Sequence, residues 1–260
     1  MISILFLGDI VGRPGREIVK SLLPGLKAKY SIDFVIANGE NATHGKGLSL
    51  KHYTELMEAG VNAVTMGNHF FRCDEIITEN DKYINMVRPY NLNPVIPGVG
   101  TKIFKVRDSL IRVTNLLGRV FIEGADSNPF TDLDKIIAKE KADIHIVDFH
   151  AEATGEKMAL AKAFDGKITA LIGTHTHVQT NDNRILPLGT GFISDAGMCG
   201  LYESILGVLP ENVIRHTSLG IPTRFEVPES GQSQLNGVVI YANERTGKTE
   251  NIILINERDF

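Results

Sequence analysis

Through the first two-thirds of the chain, short apolar runs alternate with amphipathic stretches, a pattern that predicts βαβ units. Residues 2–7 read as a strand and 15–30 as a helix, irregular at Pro24. A second strand is expected at 33–37, a helix at 50–59 capped by Ser49, and a third strand at 62–66 after Gly60 closes that helix. Residues 88–100, rich in Pro, Asn and Gly, read as a loop before strands at 102–106 and 111–116. Thr131 is the expected cap of a helix over 132–141, and 143–149 returns as a strand. A helix over 156–164 and strands at 168–172 and 190–194 follow. The tail turns β-rich, with strands at 223–227, 235–241 and 250–256 and a hairpin turn at Glu244-Arg245-Thr246-Gly247. No repeat or linker interrupts this pattern, so residues 1–260 are expected to form one α/β domain, a sheet sandwich with helices outside.

Composition fits that picture. At 260 residues, 43% hydrophobic and 22% charged, the chain can build a sizeable core without structural metal. Lys plus Arg number 27 against 31 Asp plus Glu, a formal charge of −4 that argues against a duplex-DNA surface but not against one small phosphorylated molecule. Cys73 and Cys199 form no C-x-x-C pair and read as reduced thiols. The opening apolar run is too short for a signal segment, and nothing approaches a membrane span. The expected location is the cytoplasm, with no membrane partner.

Five blocks place ligand-type residues directly after predicted strands. They are Gly8-Asp9, Gly39-Glu40-Asn41, Gly67-Asn68-His69, Asp148-Phe149-His150 and Gly173-Thr174-His175-Thr176-His177. Singly, each has an ordinary structural role available: Asp9 as a helix cap, Asn68-His69 as a turn, His150 as a hydrogen-bonded core histidine. His175 and His177, two apart in an extended segment, should point their imidazoles to one side. Jointly, two carboxylates, two Asn and four His in strand-end loops point to a site, because such loops line the ligand crevice of α/β sheets. Imidazole, carboxylate and amide oxygen together favour Fe or Mn, with Zn also open, over a sulfur-preferring ion. Eight candidates exceed what one ion takes, so two metal ions across a shared carboxylate are expected.

These blocks, in this order, resemble the calcineurin-like metallophosphoesterase superfamily, and within it the YmdB-type branch of 2′,3′-cyclic-nucleotide 2′-phosphodiesterases. The resemblance runs over nearly the whole chain. It is carried by residues 7–16, Asn38-Gly39-Glu40-Asn41-Ala42, His44-Gly45-Lys46-Gly47, residues 148–154 and residues 173–180. Val11 stands where the wider superfamily has a His, and Glu40 where it has a bridging Asp; the branch shares both departures. The resemblance implies a four-layer αββα fold. It further implies Asp9, Glu40, Asn41 and His177 on one metal and Glu40, Asn68, His150 and His175 on the other, Glu40 bridging, with His69 unligated. Where the branch has Trp-Asp, this chain reads Phe70-Phe71-Arg72-Cys73-Asp74, and Gly200-Leu201-Tyr202-Glu203 also diverges, which puts substrate preference in doubt.

The implied chemistry is attack by a metal-bridging hydroxide on a small nucleotide phosphodiester, with His69 as the general acid for the departing ribose oxygen. Broader cyclic-nucleotide or monoester hydrolysis, a regulatory nucleotide-binding role with weak catalysis, and an RNA-processing nuclease stay open as alternatives. A homo-oligomer is implied by the resemblance alone. Arg13, Arg16 and Lys46 are equally readable as phosphate clamps or surface charge, and no chemistry is assigned to His44, His52, His145 or His216.

Overall fold

The computed structural model describes residues 1–259. The chain runs through β1 (Ile2–Ile10), α1 (Gly12–Tyr30), β2 (Phe34–Asn38), α2 (Leu50–Glu58), β3 (Ala63–Thr65), the short α3 (Glu75–Thr78) and β4 (Met86–Val87). It continues with β5 (Thr101–Val106), β6 (Ser109–Leu117), α4 (Pro129–Lys139), β7 (Ile144–His150), α5 (Thr154–Ala163) and β8 (Ala170–Thr174). The last third holds β9 (Arg184–Ile185), β10 (Gly191–Ile193), β11 (Met198–Leu201), α6 (Pro210–Leu219), β12 (Ser233–Ala242) and β13 (Thr249–Arg258). One sheet has the order β13-β12-β11-β1-β2-β3-β4 and the other β5-β6-β7-β8-β10-β9.

Strand alternation explains the layering. On β1, Ile4 and Phe6 face the second sheet and pack with Ile36, Ile146, Ile172 and Val238 between the sheets. Leu5 and Leu7 face the other way, against Ile18 and Leu23 of α1 and Leu56 of α2. On the second sheet, Val147 and Leu171 turn outward to Leu133 of α4 and Leu160 of α5. Central strands covered on both faces read as continuous apolar runs, which is why the sequence showed them so clearly. The four-layer αββα arrangement is the one expected.

Two expectations need correcting, and one strand was not foreseen. The helix expected over 132–141 starts earlier, at Pro129: Asn128 Oδ1 accepts from Phe130 N–H at 2.9 Å, while Thr131 only bonds back to Asn128 O. No strand forms at 223–227; residues 203–231 are instead a largely exposed excursion carrying α6, which ends at Gly220 with φ 65°. The chain also inserts β11, parallel to β1 at Asp9 and Ile10, beyond the stretch where β12 pairs antiparallel with residues 2–7. The hairpin between β12 and β13 is present as expected. Among the described residues, no helix is long and apolar enough to cross a membrane.

Candidate metal centre

The expected blocks converge where the parallel strands of both sheets end. Asp9 lies near the end of β1, Glu40 and Asn41 follow β2, and Asn68 and His69 follow β3. From the second sheet come His150, the last residue of β7, and His175 and His177 just beyond β8. Two local devices bring them close. The β1–β2 register shifts between Leu7 and Asp9, a bulge that re-aims the Asp9 side chain; Gly8 permits it, since a Cβ there would lie 2.1 Å from Gly197 O. At Gly67 a Cβ would lie 2.2 Å from Glu40 Oε2 and 2.4 Å from His150 Nε2, so only glycine leaves room for the cluster. Asp9 does not cap α1. Its Oδ2 accepts from His175 N–H at 3.0 Å, and α1 begins after Val11 with no side-chain cap.

The three inward imidazoles share one design. His150 Nδ1–H donates to Thr174 Oγ1 at 2.9 Å, and that hydroxyl donates to Asp148 Oδ1 at 2.7 Å. His175 Nε2–H meets Glu152 Oε2 at 3.1 Å, and His177 Nδ1–H donates to Leu206 O at 2.9 Å. With its outward nitrogen committed to an acceptor, each ring directs its other nitrogen inward, as metal-binding histidines do. Those inward atoms crowd together. His150 Nε2 is 3.1 Å from His175 Nδ1, 3.1 Å from Asn68 Oδ1 and 3.2 Å from Glu40 Oε1. On the other side of Glu40, the Asn41 amide lies 3.1 Å from His177 Nε2, 3.2 Å from Glu40 Oε1 and 3.4 Å from Asp9 Oδ1. The expectation of an extended segment at His175 and His177 is corrected. Both have positive φ, 102° and 64°, so the backbone twists and sends one ring to each half of the cluster.

Electrostatics follow from enclosure. Burial pushes the Asp9 carboxyl above its ordinary range. Burial also acts to raise Glu40, but the adjoining His150 and His69 rings hold it well below the usual carboxylate range. Burial acts to lower His150, yet Glu40, Asp9 and Asp148 around it raise it to about 9. His175, by contrast, is pushed down to about 3 by burial and by the neighbouring His150. The pocket thus favours positive charge where His150 Nε2 meets Glu40.

The donor set fits metal ions. Ligands held 2.0–2.2 Å from an ion stand roughly 3.0–3.4 Å apart around it, which is the spacing of Asn68, His150, His175 and Glu40. Among the described residues, Glu40, His150 and His175 form the group of His, Cys, Asp or Glu donors that all lie within 4.8 Å of one another. A half-turn of the Asn41 amide would present its oxygen between Asp9, Glu40 and His177, completing a second set. His69 sits beside both sets: its backbone N–H donates to Glu40 Oε2 at 3.0 Å and its Nδ1 is 2.7 Å from the Asn41 amide.

Several supporting residues escaped the sequence reading. Asn38 Nδ2 donates to Asp148 Oδ2 at 3.0 Å, fixing the carboxylate behind His150. Asp195 Oδ2 accepts from Thr176 N–H at 3.0 Å and from Lys157 Nζ at 2.9 Å, and both Lys157 and Asp195 are about 1% exposed. That buried pair holds the turn between His175 and His177. Arg16 is engaged by Glu55 and Ala42 O, Arg13 pairs with Glu17, and Lys46 is exposed.

Known proteins resemble this chain over nearly its full length. A 2′,3′-cyclic-nucleotide 2′-phosphodiesterase of Bacillus subtilis (strain 168) is 47% identical over 258 residues, covering 98% of this chain and 97% of that one. The crystal structure of a novel phosphatase from Mycoplasma pneumoniae superposes with a TM-score of 0.92 at 44% identity, covering 99% of this chain and 93% of the other. A hypothetical protein from Thermus thermophilus gives a TM-score of 0.93 at 38% identity, covering 99% and 100%. The profile of the YmdB-like proteins matches residues 5–255. With cluster, fold and nearly full-length similarity in agreement, this chain belongs to the YmdB-like family.

Proposed function

We propose that the chain is a metal-dependent phosphodiesterase that opens 2′,3′-cyclic nucleotides to 3′-nucleotides. One observation carries the reading: three imidazoles, each tied outward to an acceptor, turn their other nitrogens into one pocket with two buried carboxylates, His150 Nε2 to Glu40 at 3.2 Å, His175 Nδ1 to His150 Nε2 at 3.1 Å and His177 Nε2 to Asp9 at 3.7 Å. Support comes from the Bacillus relative, whose name states this activity. Asp9, Glu40, Asn41 and His177 would hold one ion; Glu40, Asn68, His150 and His175 would hold the other. Iron or manganese suits the mixed N and O donors, with zinc also compatible. When bound, the ions supply an activated water near neutral pH and offset the charge of the phosphate oxygens.

The chain's own residues do the rest. Glu40 joins the two sets, its Oε2 fixed by the His69 backbone N–H. In its imidazolium form His69 donates Nδ1–H toward Glu40 Oε1 at 3.2 Å and keeps Nε2–H for the departing 2′ oxygen, so that the ring ends the step as neutral imidazole. The open side of this histidine faces the substrate approach, as its 20% side-chain exposure allows.

The test is a substrate panel on metal-reconstituted protein: 2′,3′-cyclic nucleotides, 3′,5′-cyclic nucleotides and monoesters. Preferred turnover of the first, with 3′-nucleotide as product, is expected. Hydrolysis of monoesters alone, or no hydrolysis at all, overturns the reading.

A further inference from the structure

Next to the cluster, at the mouth of the sandwich, lies a cavity of about 310 Å³ that shares His177 as one wall. Its far wall is built by β12 and β13. On the face turned toward the second sheet, β12 is apolar in depth at Ile240 and Val238 and changes to Asn236 and Gln234 at the rim. β13 does the same: Ile252 and Leu254 give way to Asn256, paired in register with Asn236. A face that is uniformly hydrophobic for most of its length thus ends in three neutral amides. Gln179 closes the floor. Its Nε2 donates to Gly237 O and Ile255 O, both at 3.0 Å, so it clamps the two strands.

Asn236 is the informative residue. It is 3% exposed, and among the described residues its buried Nδ2 finds no acceptor. A buried donor without a protein partner is costly and rare, and is met by an acceptor from outside the chain, a water or a ligand. Met198 and Tyr202 line the same cavity, and the Arg258 guanidinium stacks on the Tyr202 ring at 3.7 Å. Amide donors and acceptors beside apolar faces, with no carboxylate or ammonium among the cavity-lining side chains, suit an uncharged heterocycle rather than a second phosphate.

We propose that this cavity receives the heterocyclic base of the nucleotide whose phosphate lies at the cluster, with the Asn236 side-chain amide, turned toward the cavity, hydrogen-bonding to a ring nitrogen or carbonyl of the base. The inference rests on the function proposed above and specifies its substrate: the enzyme reads a base and does not act on any small cyclic diester alike. Gln234, partly exposed at the rim, forms the second contact.

The experiment compares kcat/KM for adenosine and cytidine 2′,3′-cyclic phosphates with kcat/KM for methyl β-ribofuranoside 2′,3′-cyclic phosphate, which keeps sugar and phosphate but has no base. In the native protein the nucleotides should be favoured by about tenfold or more, and Asn236→Leu should reduce that preference by about tenfold, chiefly through KM. Gln234→Ala gives a second arm at a rim position should the buried substitution fail to fold. An equal kcat/KM with and without base, or a preference untouched in the folded variants, overturns the proposal. If the native protein cleaves neither substrate, the function proposed above fails separately. Calorimetric titration then decides the cavity: adenosine 3′-monophosphate should bind at least about tenfold more tightly than inorganic phosphate, with the difference reduced in Gln234→Ala. Equal binding would overturn the proposal.

Discussion

The cluster around Glu40 and the excursion that carries α6 touch each other, yet they are built on opposite terms. Asp9, Glu40 and His150 are at most 1% exposed, and each is held by several polar partners from different strands. In α6 no residue is buried; Ile214 and Leu219 stand 57% and 66% exposed. The contact between the two regions is slender: Leu206 O accepts from His177, and Val227 fills the space over Gly12 and Gly45. Many partners per residue make the cluster rigid and intolerant. Few partners leave the excursion free to vary.

Substitutions can break this contrast, starting where the effect should be greatest. Glu40→Ala removes the carboxylate common to both sets, and should abolish stoichiometric metal and lower turnover by about 10²–10³-fold or more. Elemental analysis finding full metal in that variant would refute the shared role. Lys157→Met leaves Asp195 buried and uncompensated, and should destabilise the fold by about 3–5 kcal/mol. Denaturant titration reads that change directly, and a loss under 1 kcal/mol (about a fifth of the upper expectation) would show the pair to be dispensable. Glu152→Ala frees His175 Nε2, and should weaken metal affinity about 10–100-fold with little change in unfolding midpoint. Competition with a chelator measures it, and unchanged affinity would mean that Glu152 does not orient the ring. The smallest effect belongs to the excursion: Ile214→Ser should shift stability by no more than about 0.5 kcal/mol. A larger loss would show that α6 packs more firmly than its exposure implies.

The same contrast decides what the sequence could reveal. Asp9, Glu40, Asn68, His150 and His175 were readable because each follows a run that is apolar on both faces, so their placement at strand ends came with the strands. The backbone that aims them was not readable. Period-two reasoning assumed extended geometry at His175 and His177, whereas both adopt positive φ so that Thr176 N–H can reach Asp195. Lys157 and Asp195 drew no role, because nothing local distinguishes a lysine on a helix from one that crosses into the interior. Glu152 stood inside a matched block but drew no role, since its partner lies on another strand. Around 203–231 the chain lacks a face that must be buried, so periodicity had nothing to report and a strand was expected at 223–227 where none forms.

The claim on which the account turns is that seven side chains from five strand ends make one site for two cations. Metal content per chain, measured on native protein reconstituted with manganese or iron and freed of excess ion, tests it most directly. About two ions per chain are predicted; protein that binds none, while folded as described, would contradict the account.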